Sequence, residues 1–214
     1  IIKKMGRYLG SSCKHCRREG IKLMLKGIRC ETAKCPIEKK QKNLAPGMHG
    51  WRHSRGGEYA VRLREKQKVK RYYGLFERQF MGFLRQAEKS KGNTGQVLLQ
   101  LLERRLDNVV YKLNFAASRK AARQLITHGH IYLNGRKVSV GDYIVKVGDK
   151  INLKNSEKSS KKITQQLDSN PNFTVQNWLQ LDKSNRTAVV VALPSRDDVQ
   201  IPVEEQLVVE FCSR

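Results

Sequence analysis

Four cysteines in the first 35 residues are the clearest chemical signal in the chain: Cys13-x2-Cys16, a thirteen-residue gap, then Cys30-x4-Cys35. Two close thiol pairs separated by a loop suit a tetrahedral site in which each pair takes one edge of a divalent ion. Four thiolates around zinc carry a formal charge of about −2, and Lys14, Arg17, Arg18, Arg29 and Lys34 lie close enough in sequence to offset it. No ligand position is left for water, so the expected site is closed and structural, and the metal would fold a segment without a core of its own. A four-thiolate iron–sulfur cluster is the alternative cofactor, and four reduced thiols in a basic arm are the bland alternative. A disulfide pair is less expected in an intracellular protein. His15 sits inside the Cys-x2-Cys loop, where a satisfied or solvent-facing imidazole is expected in preference to a ligand.

A second chemistry, the holding of phosphate, is written in Ser118 to Arg136, SRKAARQLITHGHIYLNGR. Ser118 is a good N-cap and Gly129 a good residue just beyond a helix C-terminus. Between them Ala121, Ala122, Leu125 and Ile126 are expected to face a core while Arg119, Lys120, Arg123 and His128 face away. Ile131 to Leu133 followed by Asn134-Gly135 predicts a strand entering a type I′ hairpin, with Arg136 behind it. A rigid helix and hairpin with cations and hydrogen-bond donors on one side is a surface for gripping a phosphate backbone.

Catalysis finds less support. No phosphate-binding glycine loop, no GxSxG elbow and no HExxH helix occurs in the sequence. Asp107, in the run RLDN, is the single acid beside an arginine that resembles a catalytic arrangement. The competing reading makes it an acid that orients neighbouring arginines or bonds backbone at a helix end. No second catalytic group assembles around it, so the chain is expected not to be an enzyme.

The whole composition says what partner these groups serve. Of 214 residues, 43 are Lys or Arg and 19 Asp or Glu, a formal charge of +24. Self-repulsion on that scale opposes compaction, and a polyanion that releases its counterions on binding removes it. A membrane surface is the rival partner, weakened by the lack of any apolar run near ~18 residues, of a signal peptide or of a lipidation signature. The chain reads as soluble and intracellular, with Met5 as the expected natural start. With 39% hydrophobic residues at regular periods, a core can form. Basic arms are expected before residue 55 and around Lys154 to Lys162.

The elements that must position these groups follow from periodicity. Ala45 to Gly50 is a turn-rich joint, followed by WRHSRGG, in which His49 and His53 either touch RNA or sit in solvent. Glu58 to Tyr73 is helical in composition, with Tyr59, Leu63, Val69 and Tyr72 or Tyr73 as a loose apolar face and Arg62, Arg64, Lys66, Lys68, Lys70 and Arg71 around the rest. In so basic a chain those cations are expected to meet RNA. Phe76 to Lys89 places Phe76, Phe80, Phe83, Leu84 and Ala87 at helical spacing, as core. A restart at Asn93-Thr94-Gly95 leads into an apolar stripe from Val97 to Leu113, with a possible break near Glu103. Arg136 to Val140 is expected as the hairpin partner, with Tyr143–Val145 and Ile151–Leu153 as further strands. Trp178–Leu181 and Ala188–Leu193 have strand composition, residues 154 to 172 hold at most a short helix, and Pro202 to Cys212 is read as a helix. Cys212 stands alone, as a buried thiol. Helices followed by a small sheet make an α+β fold.

MGRYLG, YAVRLREKQKVKRYYG, the block LLERRLDNVVYKLNFAASRKAARQLITHGHIYLNG and the ending EEQLVVEFCSR together resemble the bacterial-type small-subunit ribosomal protein S four family, from Met5 to Arg214. The four cysteines resemble that family's metal-binding form, with zinc as the implied cofactor. Cys212, where tyrosine is common, and the polar insert around Ser156 to Asn170 depart from the pattern. The resemblance implies a metal-stabilised basic arm over 5–50, a helical domain over 51–98 completed by 195–214, and a small α+β RNA-binding domain over 99–194 whose helix–hairpin motif occupies 104–155. Carried onto matching positions, Arg105, Asn108, Ser118, Arg119, Lys120, Arg123, Gln124, His128, His130 and Arg136 become RNA contacts. The implied partners are small-subunit ribosomal RNA at a helical junction, the S-five and S-three proteins, and messenger RNA where it enters the subunit. The implied place is the cytoplasmic ribosome, and the implied roles include nucleating assembly and supporting translational accuracy. Two rivals remain: an RNA-modifying enzyme carrying the same helix–hairpin module, and a zinc-finger DNA-binding protein, for which IKLMLKGIR makes a short recognition helix interrupted by Gly27.

Overall fold

The computed structural model describes residues 8–39, 42–51, 56–154, 163–168, 173–182 and 184–213. Met5, His53 and much of the insert around 156–170 lie outside them. The chain divides into two compact units, 1–98 with 201–214, and 99–200. The cysteine-bearing segment belongs to the first.

In the first unit, α1 (Ser12–Glu19) ends at Gly20, whose φ of 70° is the left-handed conformation that glycine adopts without a Cβ penalty. A 3-10 turn, Gly27–Cys30, follows. Next come α2 (Glu58–Tyr72) and α3 (Glu77–Glu88). Val69, Tyr72, Tyr73, Phe80, Leu84 and Ala87 are buried as a helical core. Phe76 and Tyr59 depart from the expected pattern. Phe76 occupies the N-cap of α3 and is 43% exposed. Tyr59 is 68% exposed and meets the Phe211 ring, 5.3 Å away. Asn93 opens α4 (Thr94–Glu103) by accepting from the Gly95 and Gln96 amides.

The second unit takes up within α4. The apolar stripe breaks at Arg104-Arg105, and α5 (Leu106–Lys112) restarts it. Then α6 (Arg119–Thr127) follows its Ser118 cap, whose Oγ accepts from the Ala121 amide. Among the described residues five antiparallel strands follow: β1 (Ile131–Leu133), β2 (Arg136–Lys137), β3 (Lys150–Leu153), β4 (Leu179–Asp182) and β5 (Thr187–Val190), in the order β2-β1-β3-β5-β4. Asn134 and Gly135 have φ of 50° and 79°, the pair of positive values that a type I′ turn requires. The expected strand over Tyr143–Val145 is absent. That segment instead lies along the α4–α5 junction, where Tyr143 and Arg104 carbonyls accept the Leu106 and Val145 amides and Ile144 bridges Arg105. A helical stretch, α7, covers 163–168. In the first unit, α8 (Glu205–Cys212) closes the chain, and Cys212 is half-buried.

One face of the sheet carries the core of the second unit. Ile131, Leu133, Ile151, Ala188, Val190 and Leu179 pack with Leu106, Val109, Ala122 and Ile126 of α5 and α6. The sheet is two residues wide on β2, so Val138 adds to the core from outside the strand.

Candidate nucleic-acid interface

The helix–hairpin begins with a buried polar lattice. Arg105 is fully buried, its Nε and Nη2 donating to the two Asp107 oxygens at 3.1 and 2.8 Å. Arg123 reaches the same carboxylate from α6, its Nε 3.0 Å from Oδ2. Burial alone pushes the Asp107 carboxyl up, but the two guanidiniums outweigh it and hold it below the ordinary value of 3.8. Asp107 is therefore a clamp between α5 and α6.

A second lattice centres on Glu103. Its Oε2 accepts from Asn108 Nδ2 at 2.6 Å and lies 3.2 Å from the buried Lys112 amine. Asn108 Oδ1 in turn accepts from Arg119 Nε at 2.7 Å, and the Arg119 guanidinium lies 4.5 Å over the Tyr111 ring. Lys112 also donates to Gln176 Oε1 and the Asp198 carbonyl, both at 2.8 Å. Arg119 does not face away from the core, as amphipathic spacing predicts. It is 6% exposed, drawn in by an amide acceptor and an aromatic face.

The ten positions expected to touch RNA thus divide. Arg105, Asn108 and Arg119 are buried among protein groups, Ser118 caps a helix, and Arg123 is half-buried on Asp107. Lys120, Gln124, His128 and Arg136 are exposed, and His130 is half-exposed with its ring parallel to that of His128, centroids 6.2 Å apart. The buried members fix the helix, and the exposed ones form the surface. Glu103 and Lys112 escaped the sequence reading; the available signal was a charge lying on either side of the apolar stripe.

In the first unit the cations of α2 are not the open basic face expected. Arg62 pairs with Glu58 and Glu210, and Arg64 and Arg71 pair with Glu19 of α1. Lys66 and Lys70 pair with Glu77 of α3, and Lys68 with Glu65. Long basic side chains along a helix found acids on three other elements. These pairs tie α1, α3 and α8 to α2.

Cys13, Cys16, Cys30 and Cys35 all line one small cavity, with Leu25, Pro36 and Ile37. Cys13 and Cys16 stand one turn apart on α1, and Cys30 ends the 3-10 turn. The Lys26 amide donates to Cys30 Sγ at 3.3 Å. Burial pushes the Cys16 thiol up, a backbone amide from Leu23 draws it down, and the Cys30, Cys13 and Cys35 sulfurs raise it again. Among the described residues, no three His, Cys, Asp or Glu side chains are gathered into a ligand shell. The fold brings the four thiols to one place without closing them on a point.

An antiparallel sheet packed on two helices, with a capped basic helix running into a type I′ hairpin, defines an RNA-binding module on a basic α+β protein. Residues 7–103 match the family described as "Ribosomal protein S4/S9 N-terminal domain", and residues 104–151 match the "S4 domain". The chain is 50% identical to "Small ribosomal subunit protein uS4A" of Symbiobacterium thermophilum and to "Small ribosomal subunit protein uS4" of Halothermothrix orenii, covering 98% of this chain and 100% of each relative. It is 49% identical, over the same shares, to the protein of that name from Trichlorobacter lovleyi. The chain belongs to the uS4 family of small-subunit ribosomal proteins. Among the described residues, no helix is long and apolar enough to cross a membrane.

Proposed function

We propose that this chain is a structural constituent of the small ribosomal subunit that binds its ribosomal RNA at a helical junction. The observation that carries the reading is the α5–α6 lattice: buried Arg105, Asp107, Asn108 and Arg119 hold rigid a helix on which Lys120, Gln124 and His128 are exposed, as is Arg136 on the hairpin that follows it. The deep major groove of an RNA helix hides base edges, so recognition rests on shape, phosphate and 2′-hydroxyl. Rigidity lets spaced cations match phosphates fixed by a folded junction, and the planar arginine fork of Arg136 suits two phosphate oxygens. Nucleation of subunit assembly, a contribution to translational accuracy, contacts with the S-five and S-three proteins and a place at the channel through which messenger RNA enters belong to the same reading, supported by family membership. Its location is the cytoplasmic ribosome.

Binding of the full chain to a folded small-subunit ribosomal RNA fragment tests this. Lys120→Ala with Arg136→Ala should weaken it by about 2 kcal/mol or more, given charged contacts of roughly 1.5–3 kcal/mol each and their non-additivity. Equal affinity for duplex DNA, or no effect of the double variant, would sink the reading. An RNA-modifying activity would show as nucleoside turnover lost in Asp107→Ala, but the Asp107 carboxylate is already committed to two arginines.

The same proposal includes a zinc ion held by Cys13, Cys16, Cys30 and Cys35, with a four-thiolate iron–sulfur cluster as the alternative. Four thiols on one cavity, two of them receiving backbone amides, are a donor set suited to either. The ion would supply cross-linking of α1 to the 3-10 turn and the loop after it. Elemental analysis of the native protein and of Cys16→Ser decides it: the variant should lose metal, and full metal content in it would refute the ligand set.

A further inference from the structure

The face of the sheet turned away from α5 and α6 is a surface in its own right. Strand alternation sends Ile131 and Leu133 into the core and therefore Tyr132 outward. Its cross-strand partners are Lys137 on β2 and Asn152 on β3, whose opposite side chains stand roughly 5 Å away. Lys150 and Lys154 flank Asn152 two residues to either side, diagonal to the tyrosine at about 7–8 Å. The Lys154 amide bonds the His130 carbonyl, so the row persists beyond the strand ends. Val189, paired with Lys150, lies on the same face.

Three facts separate this face from other basic surfaces of the chain. Lys137, Lys150 and Lys154 are exposed, and among the described residues none has a carboxylate within ion-pairing distance, whereas the cations of α2 are matched to acids. Tyr132 is half-buried between its neighbours, which holds its ring without covering it. The acid on this face, Asp182, stands at the far edge and is occupied by its own turn, accepting from the Ser184 and Asn185 amides and Asn185 Nδ2. A Cβ at Gly129 would collide with the Lys137 side chain, so that glycine, at φ 74°, leaves room for the outer end of the lysine beside the chain entering β1.

We propose that this outer sheet face is a second RNA surface, taking an unpaired nucleotide with its base against Tyr132 and the phosphates on either side held by Lys137 and Lys150. An aromatic ring among cations on an open sheet is what single-stranded RNA recognises, because every base has a π-face while its phosphates need only charge. The inference rests on the reading of the chain as an RNA-binding protein, but it uses the opposite face from Lys120 and Arg136.

The test uses the full chain, a ten-nucleotide oligouridine, a 4-thiouridine version for photocrosslinking and the folded ribosomal RNA fragment, at moderate salt. Tyr132→Leu should weaken oligouridine binding about ten-fold or more, Tyr132→Phe should restore it, and crosslinks on the parent protein should map to β1 or β3. Lys137→Gln with Lys150→Gln should weaken it independently, and if Tyr132→Leu fails to fold, the crosslink map of the parent decides whether the base lies against β1 or β3. Unchanged affinity in both sheet-face variants, or crosslinks only elsewhere, would overturn the proposal. So would loss in the lysine variant with none in a folded Tyr132→Leu, because the face would then be a charge patch without stacking. Failure of the parent to bind the folded fragment would count against the junction reading alone.

Discussion

Asp107 shows how far a single residue's surroundings redirect its chemistry. Beside an arginine in RLDN it resembles a catalytic acid, yet in the fold its oxygens are taken by Arg105 and Arg123. Removing its charge takes away the carboxylate that two guanidiniums share, one of them fully buried, so Asp107→Asn should lower stability by about 3 kcal/mol in urea unfolding at neutral pH. The pH dependence has a definite sign. The folded carboxyl lies below its ordinary 3.8, so its stabilisation is complete above that value and is lost as pH falls from there through the folded pKa. The variant should therefore show a flatter stability profile below about pH 4 than the parent; parallel profiles would mean that Asp107 is not the titrating clamp.

At the scale of elements, α6 is specified locally and α2 is not. Ser118 caps α6 and Gly129 ends it, both visible in the sequence, and Ser118→Ala should cost about 1 kcal/mol by thermal or urea unfolding. A loss near zero would show that the core contacts of Ala122 and Ile126 hold the helix without its cap. The cations of α2 depend on partners between 7 and 148 residues away, apart from the local pairs with Glu58 and Glu65. Glu19 is the most telling of these partners, its carboxylate wholly covered while it holds Arg64 and Arg71. Glu19→Ala should loosen α1, so limited proteolysis should cut within residues 8–39 sooner than within α2. Equal cutting rates in parent and variant would show that the cysteine segment holds α1 by itself.

For the whole molecule, +24 sets the sensitivity of RNA binding to salt, and the pairing of charges sets its size. If about ten phosphates were neutralised, log K would fall against log salt with a slope of about −7 to −9. With Arg105, Arg119 and Arg123 turned inward, the exposed cations from α6 to just past the end of β3 are Lys120, Arg136, Lys137, Lys146, Lys150 and Lys154. Six such contacts give a slope of about −4 to −5. A measured slope near about −9 would mean that exposed cations of the first unit, such as Lys14, Arg18, Lys26 and Arg29, meet phosphates as well.

Sequence alone determined the α+β class, the family, the helix bounded by Ser118 and Gly129, the Asn134-Gly135 turn and the cysteine spacing. Each of these is a local pattern: a cap, a period, two positive φ values, a gap between thiols. The tertiary structure decided which basic residues are available. Arg119 went inward because Asn108 and Tyr111 offered an acceptor and a ring, and Tyr143–Val145 lost its strand because the α4–α5 junction needed its backbone groups. The outer face of Tyr132, Lys137 and Lys150 exists only once β1, β2 and β3 are in register. Charge can be counted along a chain, but whether a charge faces an acid, a ring or solvent depends on segments that meet only on folding.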